Sequence, residues 1–559
     1  MVGGDSPANR IRCMNFAASP GCCRKASARF TEVTLWVLVA GLALYMLLMT
    51  STAAYSPDSW GYIDITRSLL DSTRAPGDIH GTRDFANTPW VNDSFPFLWP
   101  LILAPVVAIL GPAAPVGAYL FVFVWLVTAG LLASLLKANT VLRPLAPMAA
   151  LALLFIPGYV EEGQAGRSIP LVILLISLSI FTLAKFVDRH PVLAATLFGF
   201  FLGMGAATRF DSLLLGPLVI VTARIVGLIH GKSTLAALAG WSIGPLAWSM
   251  YSIIRLHGVY VTDNARVARA PTYTFVTDWP VPIDFSVLAS LQMWLARTSS
   301  NVDLVWSSLA SATRGWVVIA VVALLVGFLA TGQTFRSISL PANKHTTAHD
   351  PRRMLPELLL MSSLAIGLTQ ATLIAVTGYN DTRYWAITSF LLLLSLLTFI
   401  FALMTSNVSL ANASLYRFSL GTSVAGIALF AVAGTSVTFA QYADRANQGA
   451  NDEYLANCFA EFQGAIMVSG MEAFRLPATT VAKTTTVPNN AESLDVEDWT
   501  ELFETYGVTG YWEPDSVDSA IPASARSLLR RVECNNQPQV ASRRTMTAGS
   551  ITPGHNQRG

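Results

Sequence analysis

Charge is scarce in this sequence. Asp, Glu, Lys and Arg make up 13% of the 559 residues, against 53% hydrophobic residues. Soluble proteins carry charge on about a quarter of their residues, so a soluble globular chain is excluded. Cysteine is also rare. Cys13, Cys22, Cys23, Cys458 and Cys534 all fall outside the apolar blocks, and none has zinc-ligand spacing, so no metal site is assigned. The net charge of +2 comes without a basic run interleaved with aromatics, which argues against nucleic acid as a partner. No internal repeat is evident, unlike the two related halves of many transporters.

What is present is a series of apolar blocks of bilayer-spanning length, joined by short polar connections. They predict an all-α polytopic membrane protein with about eleven transmembrane helices and a small C-terminal α/β domain. Residues 1–32 form a basic leader with Arg10, Arg12, Arg24, Lys25 and Arg29, so the positive-inside rule places the N-terminus in the cytoplasm. A cleaved signal peptide is the other reading, with Thr52, Ala53 and Ala54 as its small-residue site.

The membrane domain is predicted over 33–439. The first span is followed by an extracytoplasmic loop, 54–112, whose apolar end is broken by Pro96, Pro100 and Pro105 and reads as a surface helix. Further spans are predicted at about 114–136, 144–160, 168–186, 191–207, 211–229, 234–254, 314–332, 355–377, 384–405 and 418–439, with a long extracytoplasmic loop at 255–313. This register puts Lys137, Arg143, Lys185, Arg189, Lys232, Arg336 and Arg417 on the cytoplasmic side.

The opposite face then collects the polar turns. They hold Glu161, Glu162 and Arg167, then Arg209 and Asp211, then Asp381 and Arg383, on the side where Ser56–Leu70 follows the first span. Charges at the ends of apolar helices are costly unless paired or wetted, so convergence on one polar cavity and separate snorkelling to water are both open. After Gln441 the composition turns polar. Strands at 465–468 and 508–512 and a helix at 496–506 predict an extracytoplasmic α/β domain over 440–535, followed by a disordered tail, 536–559. On an oxidising face Cys458 and Cys534 are candidates for a disulfide, with two free thiols as the alternative.

The pattern P-D-x-x-x-Y-x-x-I-x-R, here Pro57, Asp58, Tyr62, Ile65 and Arg67, resembles the first outside loop of the polytopic GT-C glycosyltransferases. The likeness is to the branch holding lipid A aminoarabinose transferases and protein O-mannosyltransferases. It extends to the proline-broken segment, the Glu161–Glu162 turn, ATRFD around Arg209, NDTRYW around Arg383 and a soluble domain after the last span. Where family members often have a second acidic residue after the aspartate, this chain has Ser59.

The resemblance implies sugar transfer from a polyprenyl-phosphate donor to an envelope glycan, lipid or protein acceptor, at the outer face of a bacterial plasma membrane. Asp58 is then the candidate base, with N-capping of the following helical stretch as the alternative. Arg209 and Arg383 are candidate phosphate ligands, with pairing to Asp211 or Asp381 as theirs. Glu161, Glu162, Tyr62 and Arg67 are candidates to orient substrate, the two glutamates being undistinguished. No cofactor is implied, although a divalent cation on Asp58 and one glutamate is conceivable, since other GT-C branches hold one. Rival readings are a transporter or flippase of a lipid-linked sugar, or a non-catalytic envelope assembly protein.

Overall fold

The computed structural model describes residues 20–50, 62, 66, 69–70, 96–110, 116–136, 144–209, 212–256, 302–313, 355–377, 382–405, 413–460, 465–468, 483–486, 494–512 and 521–532. The protein is an integral membrane protein built of helices. Four of them, among the described residues, are long and apolar enough to cross a bilayer: Arg29–Met49, Val116–Leu136, Ile169–Phe186 and Ser423–Ala443. The expected span at 314–332 and most of the 255–313 loop lie outside the described residues.

Helix α1 (Pro20–Met49) carries the first span. Helix α2 (Leu98–Leu110) is the proline-containing segment, and its 13 residues reach only about 20 Å at 1.5 Å per residue, short of the ~30 Å hydrocarbon core. Helix α3 (Val116–Leu136) follows. The single span expected at 144–160 is instead two helices, α4 (Leu145–Leu153) and α5 (Tyr159–Gln164). Between them Pro157 supplies no N–H, and Gly158 takes φ 69°, a left-handed conformation that ends helical propagation. A β-carbon on Gly158 would lie 3.2 Å from Arg383 Cα, so this break also lets a distant turn approach.

Next come α6 (Ile169–Phe186), α7 (Pro191–Ala206), α8 (Ser212–Val226) and α9 (Lys232–Leu256). Helices α7 and α9 meet backbone to backbone. Gly199 and Gly203 face the Ala237 and Trp241 carbonyls, and Gly240 and Gly244 face Thr196 and Gly203. Small residues permit such approach where lipid offers no hydrophobic drive between helices. After α10 (Val302–Thr313) and α11 (Leu355–Thr377), a 3₁₀ turn (Thr382–Trp385) leads into α12 (Ala386–Thr405).

The core runs through this bundle, with Trp125, Phe121, Phe198, Phe390 and Phe399 fully enclosed. Helix α13 (Ala413–Ala460) does not stop at the expected end of the last span but continues unbroken for 48 residues. At about 72 Å it is more than twice the hydrocarbon thickness, so it carries the chain out of the membrane.

Beyond it, strands β1 (Ala465–Val468), β2 (Lys483–Thr486), β3 (Val508–Trp512) and β4 (Arg530–Arg531) form a parallel sheet in the order β2-β1-β3-β4. Helix α14 (Val496–Tyr506) starts with a reciprocal capping box between Asp495 and Asp498. It buries Trp499, Leu502 and Phe503 with Met467 and Val508, and α15 (Ala523–Arg526) adds Ala525 to the same core.

Candidate functional site

The site grows from the six-residue helix α5. Its phase turns Glu162 inward, 1% exposed, and leaves Glu161 exposed, which separates two residues that look alike in sequence. Gly166, at φ 68°, then reverses the chain. Its N–H donates to the Gly163 carbonyl at 3.0 Å and the Arg167 N–H to the Glu162 carbonyl at 2.8 Å, the paired bonds of a Schellman turn. The turn folds Arg167 back over its own helix, so that Nη1 donates to Glu162 Oε1 at 2.5 Å.

Two other guanidiniums arrive from distant connections. Arg209, in the turn between α7 and α8, lies 3.9 Å from Glu162 Oε2 through Nη1. Arg383, in the 3₁₀ turn before α12, lies 3.7 Å from Oε1. The three arginine side chains are 14–16% exposed, while the glutamate is 2% exposed. The carboxylate is therefore sealed and the guanidiniums reach outward past it. Three guanidiniums thus converge on one carboxylate.

Burial pushes the Glu162 carboxyl above the usual glutamate range, and the charges of Arg167, Arg209 and Arg383 oppose that rise. Its Oε2 is buried without a hydrogen-bond partner among the described residues, and Arg209 stands at ion-pair distance from it. A guanidinium has five N–H donors in a planar fork, so one that touches a carboxylate electrostatically can also engage a second anion.

The frame around the cluster is hydrogen-bonded on several sides. Trp99 Nε1 donates to the Gly166 carbonyl at 2.7 Å, and the Leu98 N–H donates to the Ala207 carbonyl at 3.1 Å. Gly117 packs against Gly166 closely enough to leave no room for a β-carbon. The Tyr62 hydroxyl meets Ser168 Oγ at 2.8 Å, and Trp385 Nε1 donates to Ser308 Oγ at 2.9 Å, which ties the Arg383 turn to α10.

Of the residues singled out in the sequence, Glu162, Arg209 and Arg383 come together, and Tyr62 sits beside them in the core. Asp58, Arg67, Asp211, Asp381 and Cys534 lie outside the described residues, whereas Cys458 is disulfide-bonded. Arg167 stood among the charged turns whose convergence was open in the sequence, but it carried no assigned role there. Ser168 and Trp99 carried no signal, because each is ordinary until its partner is known.

No protein-family model matches the sequence, and none of the curated proteins does. Solved structures resemble it in layout. ArnT from Cupriavidus metallidurans bound to undecaprenyl phosphate is 11% identical, with 80% of this chain and 85% of that one covered at a TM-score of 0.46. The Archaeoglobus fulgidus oligosaccharyltransferase tethered to an acceptor peptide is 12% identical, with 86% and 68% covered at a TM-score of 0.43. The oligosaccharyltransferase AglB from the same organism, in complex with an inhibitory peptide and a dolichol-phosphate, is 11% identical, with 86% and 69% covered at a TM-score of 0.39.

Proposed function

We propose that this protein is a membrane glycosyltransferase that takes a sugar from a polyprenyl-phosphate donor at the arginine cluster and passes it to an extracytoplasmic acceptor. The observation that supports this reading is the gathering of Arg167, Arg209 and Arg383 around the buried Glu162 from three separate connections. A sealed carboxylate holds the guanidiniums in place before any donor arrives, so charge that develops on the departing phosphate meets donors already oriented. Helix-end placement lets a prenyl chain remain in lipid while its phosphate enters the polar cluster.

Asp58 is assigned as general base. It stands four positions before Tyr62, whose hydroxyl reaches the residue next to Arg167. In the step proposed, the acceptor hydroxyl oxygen bonds to the anomeric carbon while its proton passes to the Asp58 carboxylate. The bond from that carbon to the phosphate oxygen breaks, its electron pair stays on the phosphate, and the anomeric configuration inverts. Glu162 acts here as the organiser of the arginines, and the acceptor is a glycan, lipid or protein.

The test is binding of undecaprenyl phosphate to the purified full chain in nanodiscs. Loss of one charged hydrogen bond predicts about 10- to 100-fold weaker binding for Arg209→Ala and for Arg383→Ala. Asp58→Asn should bind as the wild type does. Wild-type affinity in both arginine variants would refute the phosphate role.

A further inference from the structure

Helix α10 meets the bundle at the Arg383 turn. Leu304, Val305 and Leu309 pack against Ile374 and Ala371 of α11 and against Trp385 of the 3₁₀ turn. At this contact Trp385 Nε1 donates to the buried Ser308 Oγ at 2.9 Å. Trp385 stands two residues after Arg383, so the bond steadies the turn that brings this guanidinium to Glu162. The remainder of α10 divides into two flanks. At about 100° per residue, Val302 and Trp306 share one side, and Asp303 and Ser307 share the next. All four are exposed, Trp306 at 68% and Val302 at 56%.

A helix with one face on protein, one open apolar flank and one open polar flank has the pattern of a helix lying in a membrane interface. Tryptophan is favoured at that depth. Neighbouring α11 identifies what covers the apolar flank. Met361, Leu364 and Leu368 are exposed along one side of α11, the side an integral membrane protein turns to lipid, and Ala371 continues that row to the point where α10 packs on it. Helix α10 thus sits at the end of a lipid-facing row. We infer that α10 is an interfacial anchor: its Val302–Trp306 flank docks on the phospholipid surface, and the Ser308–Trp385 bond passes that hold to the Arg383 turn. This goes beyond the proposed function, because the bilayer contact does not depend on what the arginine cluster binds.

The test uses Trp306→benzoylphenylalanine and Ser307→benzoylphenylalanine, each in the full chain reconstituted in nanodiscs of dioleoylphosphatidylcholine. After irradiation, mass spectrometry identifies what each photoreactive side chain has captured. Phosphatidylcholine adducts should dominate at 306 and be scarce at 307, on the polar flank. Amide hydrogen exchange then follows the hold on the turn, in peptides covering 302–313 and 382–390. Trp385→Phe retains an aromatic ring and loses the donor, so exchange in both peptides should quicken about fivefold, the worth of one net hydrogen bond. Trp306 is exposed, so Trp306→Ser should fold. Loss of its ring from apolar lipid should quicken exchange in 302–313 about tenfold, with 382–390 quickening alongside it.

Capture of another segment of the protein at 306, absence of lipid adducts there, or equal lipid capture at 306 and 307 would overturn the docking. Wild-type exchange in both Trp306→Ser and Trp385→Phe would overturn the hold on the Arg383 turn. None of these readouts uses undecaprenyl phosphate, so the phosphate reading can fail without them and they can fail without it.

Discussion

Replacing Glu162 by Gln isolates the charge at the centre of the cluster. Glutamine retains an oxygen where Oε1 accepts from Arg167, so the local hydrogen bond survives and only the negative charge is lost. At an effective dielectric constant of about 20, two unit charges 3.7 to 3.9 Å apart attract by about 4 kcal/mol, part of which repays desolvation of the carboxylate. Breaking a buried pair costs about 3–5 kcal/mol, because the surviving charge is left uncompensated. Glu162→Gln removes one attraction from each of three guanidiniums, so a loss of about 3 kcal/mol is expected in denaturant unfolding of the purified protein. Adding Arg209→Gln to Glu162→Gln should cost less than Arg209→Gln costs in the wild type, because both substitutions remove the same ion pair. Equal stability of the wild type and Glu162→Gln, or strict additivity with Arg209→Gln, would refute the claim that Glu162 organises the arginines.

Because burial raises the Glu162 carboxyl, it takes up its proton at a higher pH than an exposed glutamate. Proton binding is tighter in the folded state than in the unfolded one, so this group's own contribution to stability is greatest below the unfolded pKa. That contribution is lost as pH rises through the folded value. The stability advantage of the wild type over Glu162→Gln should therefore grow on acidification from pH 7, before exposed glutamates titrate, as pH-dependent unfolding will show. Gly199→Val should force α7 from α9, since the Ala237 carbonyl already occupies the space of a β-carbon. A loss of 3 kcal/mol or about that, with reduced transfer through displacement of Arg209, is expected in unfolding and activity assays. Trp99→Phe retains an aromatic ring but removes the donor to Gly166, which predicts about 1 kcal/mol of destabilisation in the same unfolding assay. Cys458→Ser should destabilise the C-terminal domain by about 2–5 kcal/mol, measured by its proteolytic susceptibility, because Cys458 is disulfide-bonded.

The helical architecture was legible because apolar blocks and basic connections carry a long-range signal that needs no knowledge of contacts. The strands at 465–468 and 508–512 were legible too, as apolar runs flanking a helix that ends at Gly507. Strand β2 was not, because Lys-Thr-Thr-Thr has no apolar alternation, and β4 is only two arginines long. Nor was the full length of α13, whose polar continuation holds helix-compatible residues and no proline before Ala460.

At the site, the charged turns could be read but their pairing could not. Which of Glu161 and Glu162 faces inward depends on the phase of a six-residue helix. Sequence neighbours gave no reason to link Arg209 or Arg383 to Glu162, to which the structure brings both through tertiary packing. The turn at Pro157 and Gly158 makes that possible, by breaking an apolar run whose hydropathy alone predicts one continuous span.

The most direct measurement is sugar transfer by the purified wild type and Asp58→Asn, offered a panel of polyprenyl-phosphate-linked sugars. The account predicts transfer by the wild type from at least one donor. It also predicts that Asp58→Asn abolishes transfer while undecaprenyl phosphate still binds. Full transfer by Asp58→Asn, or none by the wild type with any donor in the panel, would contradict it.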